Sequence, residues 1–159
     1  MSSGQLAREL GKRNPFDLLE QEVYLNLART YAVLAEPVEK LFRQHGLCPT
    51  HYNILRILAG EEQAGNEGLP MLEVRNRLVT RVPDITRLVD KLEEHGLIFR
   101  DRSSSDRRVF LLKLTDKGRS LAHELREPLL KLHKAHLGHL SSEELQTLCR
   151  LLEKARNPA

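Results

Sequence analysis

The chain has 159 residues, 40% of them hydrophobic and 30% charged, with a formal net charge of +3. That length fits one compact unit, with or without a helical extension, and can bury a real core. No apolar run is long enough to span a bilayer and "MSSGQLARELGKRNPF" lacks the apolar stretch of a secretory signal, so no membrane segment is expected and the expected location is the cytoplasm.

The charge is unevenly placed. Residues 75 to 119 hold 12 Lys and Arg against 7 Asp and Glu, a local balance of +5 that leaves −2 for the rest of the chain. Such segregation is the footprint of a polyanion-binding module. Cys48 and Cys149 stand far apart and outside any C-x-x-C spacing, which argues against a zinc ribbon or a disulfide framework and predicts two reduced, packed thiols. A redox sensor is the alternative, since one low-pKa thiol would suffice.

Residues 1–13 read as a flexible arm. Asn14 and Pro15 then have the types of an N-cap and first helical residue, opening a helix over "FDLLEQEVYLNLARTYAVLAE". Val23, Leu27, Tyr31 and Leu34 make one face of it, but Leu18, Leu25 and Ala32 fall elsewhere, so the helix is expected to be covered on more than one side, by a partner subunit. Pro37 starts or kinks a second segment, "VEKLFRQH", closed by Gly46. Cys48 and Pro49 open "THYNILRIL", which is predicted to end at Gly60, and "GEEQAGNEGLP" reads as a loop. Two short helices follow, "MLEVRNRLV" and "PDITRLVDKLEEH". The tetrapeptides "QHGL" and "EHGL" are helix C-cap signatures rather than a repeat.

After Gly96 the apolar period changes to two. Leu97 and Phe99 alternate with Ile98 and Arg100, and beyond a serine turn Val109, Leu111 and Lys113 alternate with Phe110, Leu112 and Leu114, which predicts a β-hairpin. Thr115 caps a long helix bent at Pro128. Ser141 and Glu144 have capping-box spacing for a last helix with Leu145, Leu148, Cys149 and Leu152 on one face.

The predicted fold class is mainly α (α+β), a winged helix-turn-helix with N- and C-terminal helical extensions, in which the second helix of the pair enters a DNA major groove. On that helix Ile85, Leu88, Val89 and Leu92 follow the i, i+3, i+4, i+7 pattern and face the core. Pro83, Arg87, Asp90 and Glu94 then face outward, flanked by Thr86 and Lys91. Phosphates repel the carboxylates, so the N-terminal half is expected to approach DNA. Arg87 is the base-reading candidate because a guanidinium gives two bonds to guanine, and Thr86 suits a base methyl or a phosphate. The alternative is that Arg87 pairs with Asp90 on a solvated face.

The segments "DITRLVDKLEEHGLIFR" at 84–100 and "DRRVFLLKLTDKG" at 106–118 resemble the MarR family of bacterial transcriptional regulators, and the resemblance extends over nearly the whole chain. The family's wing pattern, D-x-R before a hydrophobic strand ending in L-T, is matched by Asp106, Arg108, Leu114 and Thr115. The resemblance implies that Arg108 enters the minor groove with Asp106 as its support. A thin basic loop suits the concentrated negative potential of a narrow groove. Arg102, Ser103, Ser104, Ser105 and Arg107 are then expected to contact phosphates. Many relatives carry a small polar turn before the recognition helix, where this chain has "LVTRVPD", a departure that bears on the placement of the helix's first turn and on which bases it reads; Arg81, Pro83, Asp84, Thr86, Arg87 and Lys91 are the candidate DNA contacts here.

The resemblance further implies a homodimer, with residues 14–45 and 115–156 forming the dimerisation region and 47–114 the DNA-binding region. Two-fold symmetry predicts a pseudo-palindromic operator with half-sites roughly 10 bp apart on double-stranded DNA. It also implies a repressor released by a small phenolic or lipophilic effector, for which Phe16, Tyr24, Tyr31, His51 and Tyr52 are the candidate contacts. A metal-responsive alternative rests on His133, His136 and His139 in "HKAHLGH", although no cysteine or carboxylate nearby in sequence completes a tetrahedral set. No cofactor is expected. Nucleophile elbows, phosphate-binding glycine loops and paired catalytic carboxylates do not occur, so an enzyme is not expected. A nonspecific architectural DNA-binding protein is the remaining alternative.

Overall fold

The computed structural model describes residues 4–106 and 108–157. The chain divides into two compact units, Met1–Val38 and Glu39–Ala159.

The first unit opens with a short helix, α1 (Gln5–Glu9), that buries Leu6 and Ala7 inside the segment expected to be an arm. The long helix α2 (Leu19–Arg43) begins later than the Asn14-Pro15 signal predicts. Its start is built at the next turn instead: the Asp17 N–H donates to the Gln21 side chain (3.3 Å) and the Glu22 N–H to the Leu18 carbonyl (3.3 Å). Pro37 lies inside α2 and does not begin a new helix. A proline removes one donor, and the surrounding turns of a long helix continue past that gap.

The second unit contains α3 (Pro49–Gln63), β1 (Leu69–Pro70), α4 (Met71–Asn76), α5 (Ile85–Glu94), β2 (Ile98–Arg102), β3 (Phe110–Leu114), α6 (Asp116–Glu124), α7 (Arg126–Leu137) and α8 (Ser142–Arg156). α3 runs past Gly60 because "GEEQ" continues its hydrogen bonding, with the Ala64 N–H reaching the Gly60 carbonyl (3.1 Å). Gly46 and Gly96 do end their helices, at φ 69° and 66°.

The expected hairpin is part of a three-stranded antiparallel sheet in the order β1-β3-β2. β2 pairs with β3 from Ile98↔Leu114 to Arg102↔Phe110, and β1 adds Leu69↔Leu112 and Pro70↔Leu111 on the other side. The core of this unit contains Ile54, Leu55, Leu58, Val74, Val89, Leu92, Leu97, Ile98, Leu112, Leu114 and Leu125, all fully buried. Phe42 stacks on Tyr52 in the same core, with ring centroids 4.9 Å apart. Burying one such side chain stabilises the fold by about 1.5–3 kcal/mol.

The helix expected to bend at Pro128 breaks at Leu125, between α6 and α7. Pro128 has no N–H to offer the carbonyl four residues back, so continuous helical bonding stops there. α8 starts on the expected capping box, with the Glu144 N–H donating to Ser141 Oγ (3.2 Å) and the Ser141 N–H to the Glu144 carboxylate (2.8 Å). Among the described residues of α7 and α8 none is buried. Cys149 is accordingly exposed on α8 rather than packed, whereas Cys48 is half-buried. No helix among the described residues is long and apolar enough to cross a membrane.

Candidate nucleic-acid interface

The segment α4–turn–α5 has its turn tied back to α3. The Val79 N–H donates to Asn53 Oδ1 (3.0 Å), and Arg77 at the end of α4 forms an ion pair with Glu61. α5 then starts at Asp84, whose carboxylate accepts the Arg87 N–H (3.3 Å), so this candidate DNA contact is occupied as a helix cap. Ile85, Val89 and Leu92 are buried and Leu88 is half-buried, the face predicted from their spacing. Arg81, Pro83, Thr86, Arg87, Lys91 and Glu94 are exposed, and the Thr86 hydroxyl lies 3.9 Å from Met71 Sδ.

The Arg87–Asp90 pair does not form. Asp90 is bound instead by Arg100 of β2 (2.6 Å), and the same guanidinium pairs with Glu93, whose other oxygen accepts the Arg100 N–H (3.3 Å). Two of the three carboxylates of α5 are therefore neutralised by the neighbouring strand. Arg87 has no ion-pair partner among the described residues.

The wing loop is held by its own polar groups. The Ser103 N–H donates to the Val109 carbonyl (2.9 Å) and the Val109 N–H to the Asp106 carbonyl (3.0 Å). Ser103 is buried, and its hydroxyl accepts the N–H groups of Ser105 (3.2 Å) and Asp106 (3.4 Å) while bonding Ser105 Oγ (2.9 Å). It is thus a brace within the loop. Ser104 is also engaged, because its hydroxyl and its N–H both donate to Glu67 from the loop before β1; these bonds hold the Glu67 carboxyl below its usual pKa. Ser105 is exposed.

Asp106 accepts the backbone N–H of Arg108 (2.9 Å), so it fixes the backbone at Arg108, and the Arg108 side chain is exposed. Arg107 lies outside the described residues. At the outer end of the strands the Arg102 guanidinium sits over the Phe110 ring, 5.3 Å from its centroid. Behind the wing, Thr115 joins three elements. Its hydroxyl accepts the Gly118 N–H (3.0 Å) and donates to the Gly96 carbonyl (2.7 Å), and its N–H donates to the Leu97 carbonyl (3.1 Å).

Comparison with known proteins bears on this geometry. The family model "Transcriptional regulator SarA/Rot" matches residues 37–125. A crystal structure of a MarR transcription factor from Planctomyces limnophilus is 43% identical over 87% of this chain and 98% of that one, with a TM-score of 0.65. The chain belongs to the MarR family. It is therefore a winged-helix transcriptional regulator that binds DNA. Other MarR relatives include the HTH-type transcriptional regulator MhqR of Bacillus subtilis, 27% identical over 84% of this chain and 88% of that one. CouR from Rhodococcus jostii, in a crystal structure with p-coumaroyl-CoA, is 26% identical over 91% of this chain and 98% of that one, with a TM-score of 0.74.

The five aromatic and histidine side chains singled out as effector contacts are divided between the two units of this MarR protein. In the first unit Phe16 is half-buried beneath the Lys12 ammonium (4.9 Å), while Tyr24 and Tyr31 are 71% and 67% exposed. In the second, Tyr52 is core: it stacks on Phe42 and donates to the Ala122 carbonyl (3.4 Å). His51 is 4% exposed; its Nδ1 accepts the Cys48 N–H (3.0 Å) and lies 3.1 Å from Cys48 Sγ, while its Nε2 is buried with no partner among the described residues. Among the described residues no group of three His, Cys, Asp or Glu side chains could hold a metal ion, so the fold does not assemble His133, His136 and His139 into a site.

Burial, then the charges of Lys91 and His95, push the His51 pKa from 6.5 down to about 4. In the unfolded chain this imidazole titrates near 6.5, so between pH 6.5 and 4 the unfolded state takes up a proton that the folded state excludes. The stability linked to neutral His51 is complete above pH 6.5 and falls as pH drops through that window, by on the order of 3 kcal/mol. His51→Gln should flatten this part of a curve of urea midpoint against pH; an unaltered slope would show that His51 is not its source.

Proposed function

We propose that the chain is a homodimeric repressor, acting in the cytoplasm, that binds a pseudo-palindromic operator and is released by a small phenolic or lipophilic effector. The observation that carries the DNA reading is the commitment of Asp90 and Glu93 to Arg100, which leaves Arg87 exposed without an ion-pair partner among the described residues. In this reading the start of α5 enters the major groove, Arg87 reads a base edge, and Arg81, Pro83, Thr86 and Lys91 line the approach. Arg108 enters the minor groove, with Arg102, Arg107 and Ser105 on the backbone beside it.

Dimerisation through residues 14–45 and 115–156 is supported by uncovered apolar surface on each helical part. Leu19, Val23, Tyr24, Leu27, Tyr31 and Val33 of α2 are exposed, as are Leu130 of α7 and Leu148 and Leu151 of α8. Exposed large apolar side chains repeated along a helix are what an interaction face would present. The effector class draws support from CouR, whose bound p-coumaroyl-CoA carries a phenol. Phe16, Tyr24, Tyr31 and His51 are the residues to test for effector contact.

Selection of DNA from a random duplex pool by the purified protein tests the reading. The enriched sequence should be a pseudo-palindrome with half-site centres roughly 10 bp apart, bound at least ~10³-fold more tightly than random duplex. A pool without a consensus would favour an architectural protein. Selection with Arg87→Ala should lose preference at one base pair in each half-site, whereas uniform weakening would make Arg87 a phosphate contact.

A further inference from the structure

We propose that Glu67 is a positioning residue of the wing, whose carboxylate holds the wing loop through Ser104 and so aims Arg108 at the minor groove. The proposal rests on the reading of Arg108 as a minor-groove contact. The described residues of the loop 103–109 are tied by short-range bonds: Ser103 to Val109, Val109 to Asp106, Ser105 and Asp106 to the Ser103 hydroxyl, and Arg108 to the Asp106 carboxylate. Such bonds set the shape of the loop, but not its tilt on the two strands that carry it. Glu67 supplies a hold from outside. Lying 37 residues before Ser104 and ahead of β1, it accepts the Ser104 N–H (3.3 Å) with one carboxylate oxygen and the Ser104 hydroxyl with the other.

Glu67 is itself firmly seated. The next residue, Gly68, has φ 149°, a conformation in which other residues are strained, and a Cβ there would stand 2.5 Å from the Leu112 carbonyl oxygen. Glycine thus lets this segment lie close on β3, and Leu69 and Pro70 then pair with Leu112 and Leu111. The carboxylate is anchored beside the middle of β3 while its oxygens reach the loop that precedes that strand. Fold stability does not account for the contact, because Glu67 and Ser104 are both exposed and a hydrogen bond open to water contributes little. Charge does not account for it either, since a carboxylate beside a DNA-binding loop repels phosphates. Aiming the loop does account for it: a wing already held in place has less freedom to lose when DNA arrives.

The sign of one substitution separates these effects. On the duplex enriched by the selection described above, charge alone makes Glu67→Ala bind more tightly, whereas loss of the hold should make it bind about 3-fold more weakly. Glu67→Gln offers an amide that can still bond the Ser104 N–H and hydroxyl, and should bind at least as tightly as the parent. Glu67→Ala added to Arg108→Ala should cost nothing more, because the hold acts through Arg108. Exchange of the Ser104 amide hydrogen, followed by NMR without DNA, should be faster in Glu67→Ala than in the parent or Glu67→Gln. Equal exchange in all three overturns the proposal, as does tighter or unchanged binding by Glu67→Ala, a loss in Glu67→Gln as large as in Glu67→Ala, or an equal loss in both Arg108 backgrounds. If Arg108→Ala itself leaves affinity unchanged, the minor-groove reading fails first and the proposal with it. Thermal midpoints of the Ala and Gln variants close to that of the parent exclude misfolding as the cause.

Discussion

Gly118→Ala is expected to destabilise the protein by about 3 kcal/mol, the upper part of the range for forcing an atom into a packed site. Gly118 lies in the first turn of α6, against the chain that leads into the wing. A Cβ there would stand 2.0 Å from the Leu97 carbonyl oxygen and 2.9 Å from its carbon. Backbone cannot swing aside as a side-chain tip does. Relief would require α6 to move from the Gly96–Leu97 segment, breaking the three hydrogen bonds of Thr115. The expected result is a fall of roughly 6–12 °C in the thermal midpoint, with a lower urea midpoint at unchanged m-value. Gly60→Ala is the control. Gly60 is inside α3 and a Cβ there meets nothing within 4 Å, so the same substitution should stabilise by about 0.5–1 kcal/mol. Equal effects at the two glycines would refute the close approach at Gly118.

The second large effect is on DNA. For the wing contact proposed above, Arg108→Ala should weaken operator binding by about 10–100-fold and lower the salt slope by about 1, with no change in thermal midpoint. Fluorescence anisotropy over a salt series measures both quantities. Asp106→Asn separates the two ways in which Asp106 could support this residue. Its contact with Arg108 is to the backbone N–H, which an amide oxygen accepts as well as a carboxylate does, so Asp106→Asn should bind DNA nearly as the parent does. A loss as large as that of Arg108→Ala would instead indicate an ion pair with the guanidinium.

Much of the frame was legible in residue spacing. The buried face of α5, the Thr115 and Ser141 caps, the C-cap glycines 46 and 96 and the β2–β3 hairpin all depend on contacts within a few residues, and local periodicity reports such contacts directly. What escaped detection depends on partners distant in sequence or on competition between local signals. β1 is two residues long and contains a proline, so only its pairing with β3 reveals it. Asn14-Pro15 is a good helix opener, but the bonds available at Asp17 and Leu18 took its place. Gly60 and Pro37 look like breaks, and each is carried through by the helix around it.

The candidate interface divides similarly. Which side of α5 faces out follows from its period, but Arg100 as partner of Asp90 and Glu93, Asn53 as anchor of the turn and Glu67 as partner of Ser104 join separate elements and leave no pattern along the chain. The serine run reads as three equivalent hydroxyls. Folding gives them different tasks, because the first is enclosed by the turn that it braces, the second, though exposed, meets Glu67, and the third, also exposed, bonds the hydroxyl of the first.

One guanidinium, that of Arg100, grips α5 at two points from β2. Reader helix and wing are therefore joined, like the two arms of a caliper, through one arginine. For the groove contacts and the dimer proposed above, this joint restricts the span between the major-groove and minor-groove contacts within a protomer, and the gap to the symmetry mate is set separately. In the proposed dimer, a releasing signal that acts on that gap would be expected to work without breaking the Arg100 ion pairs.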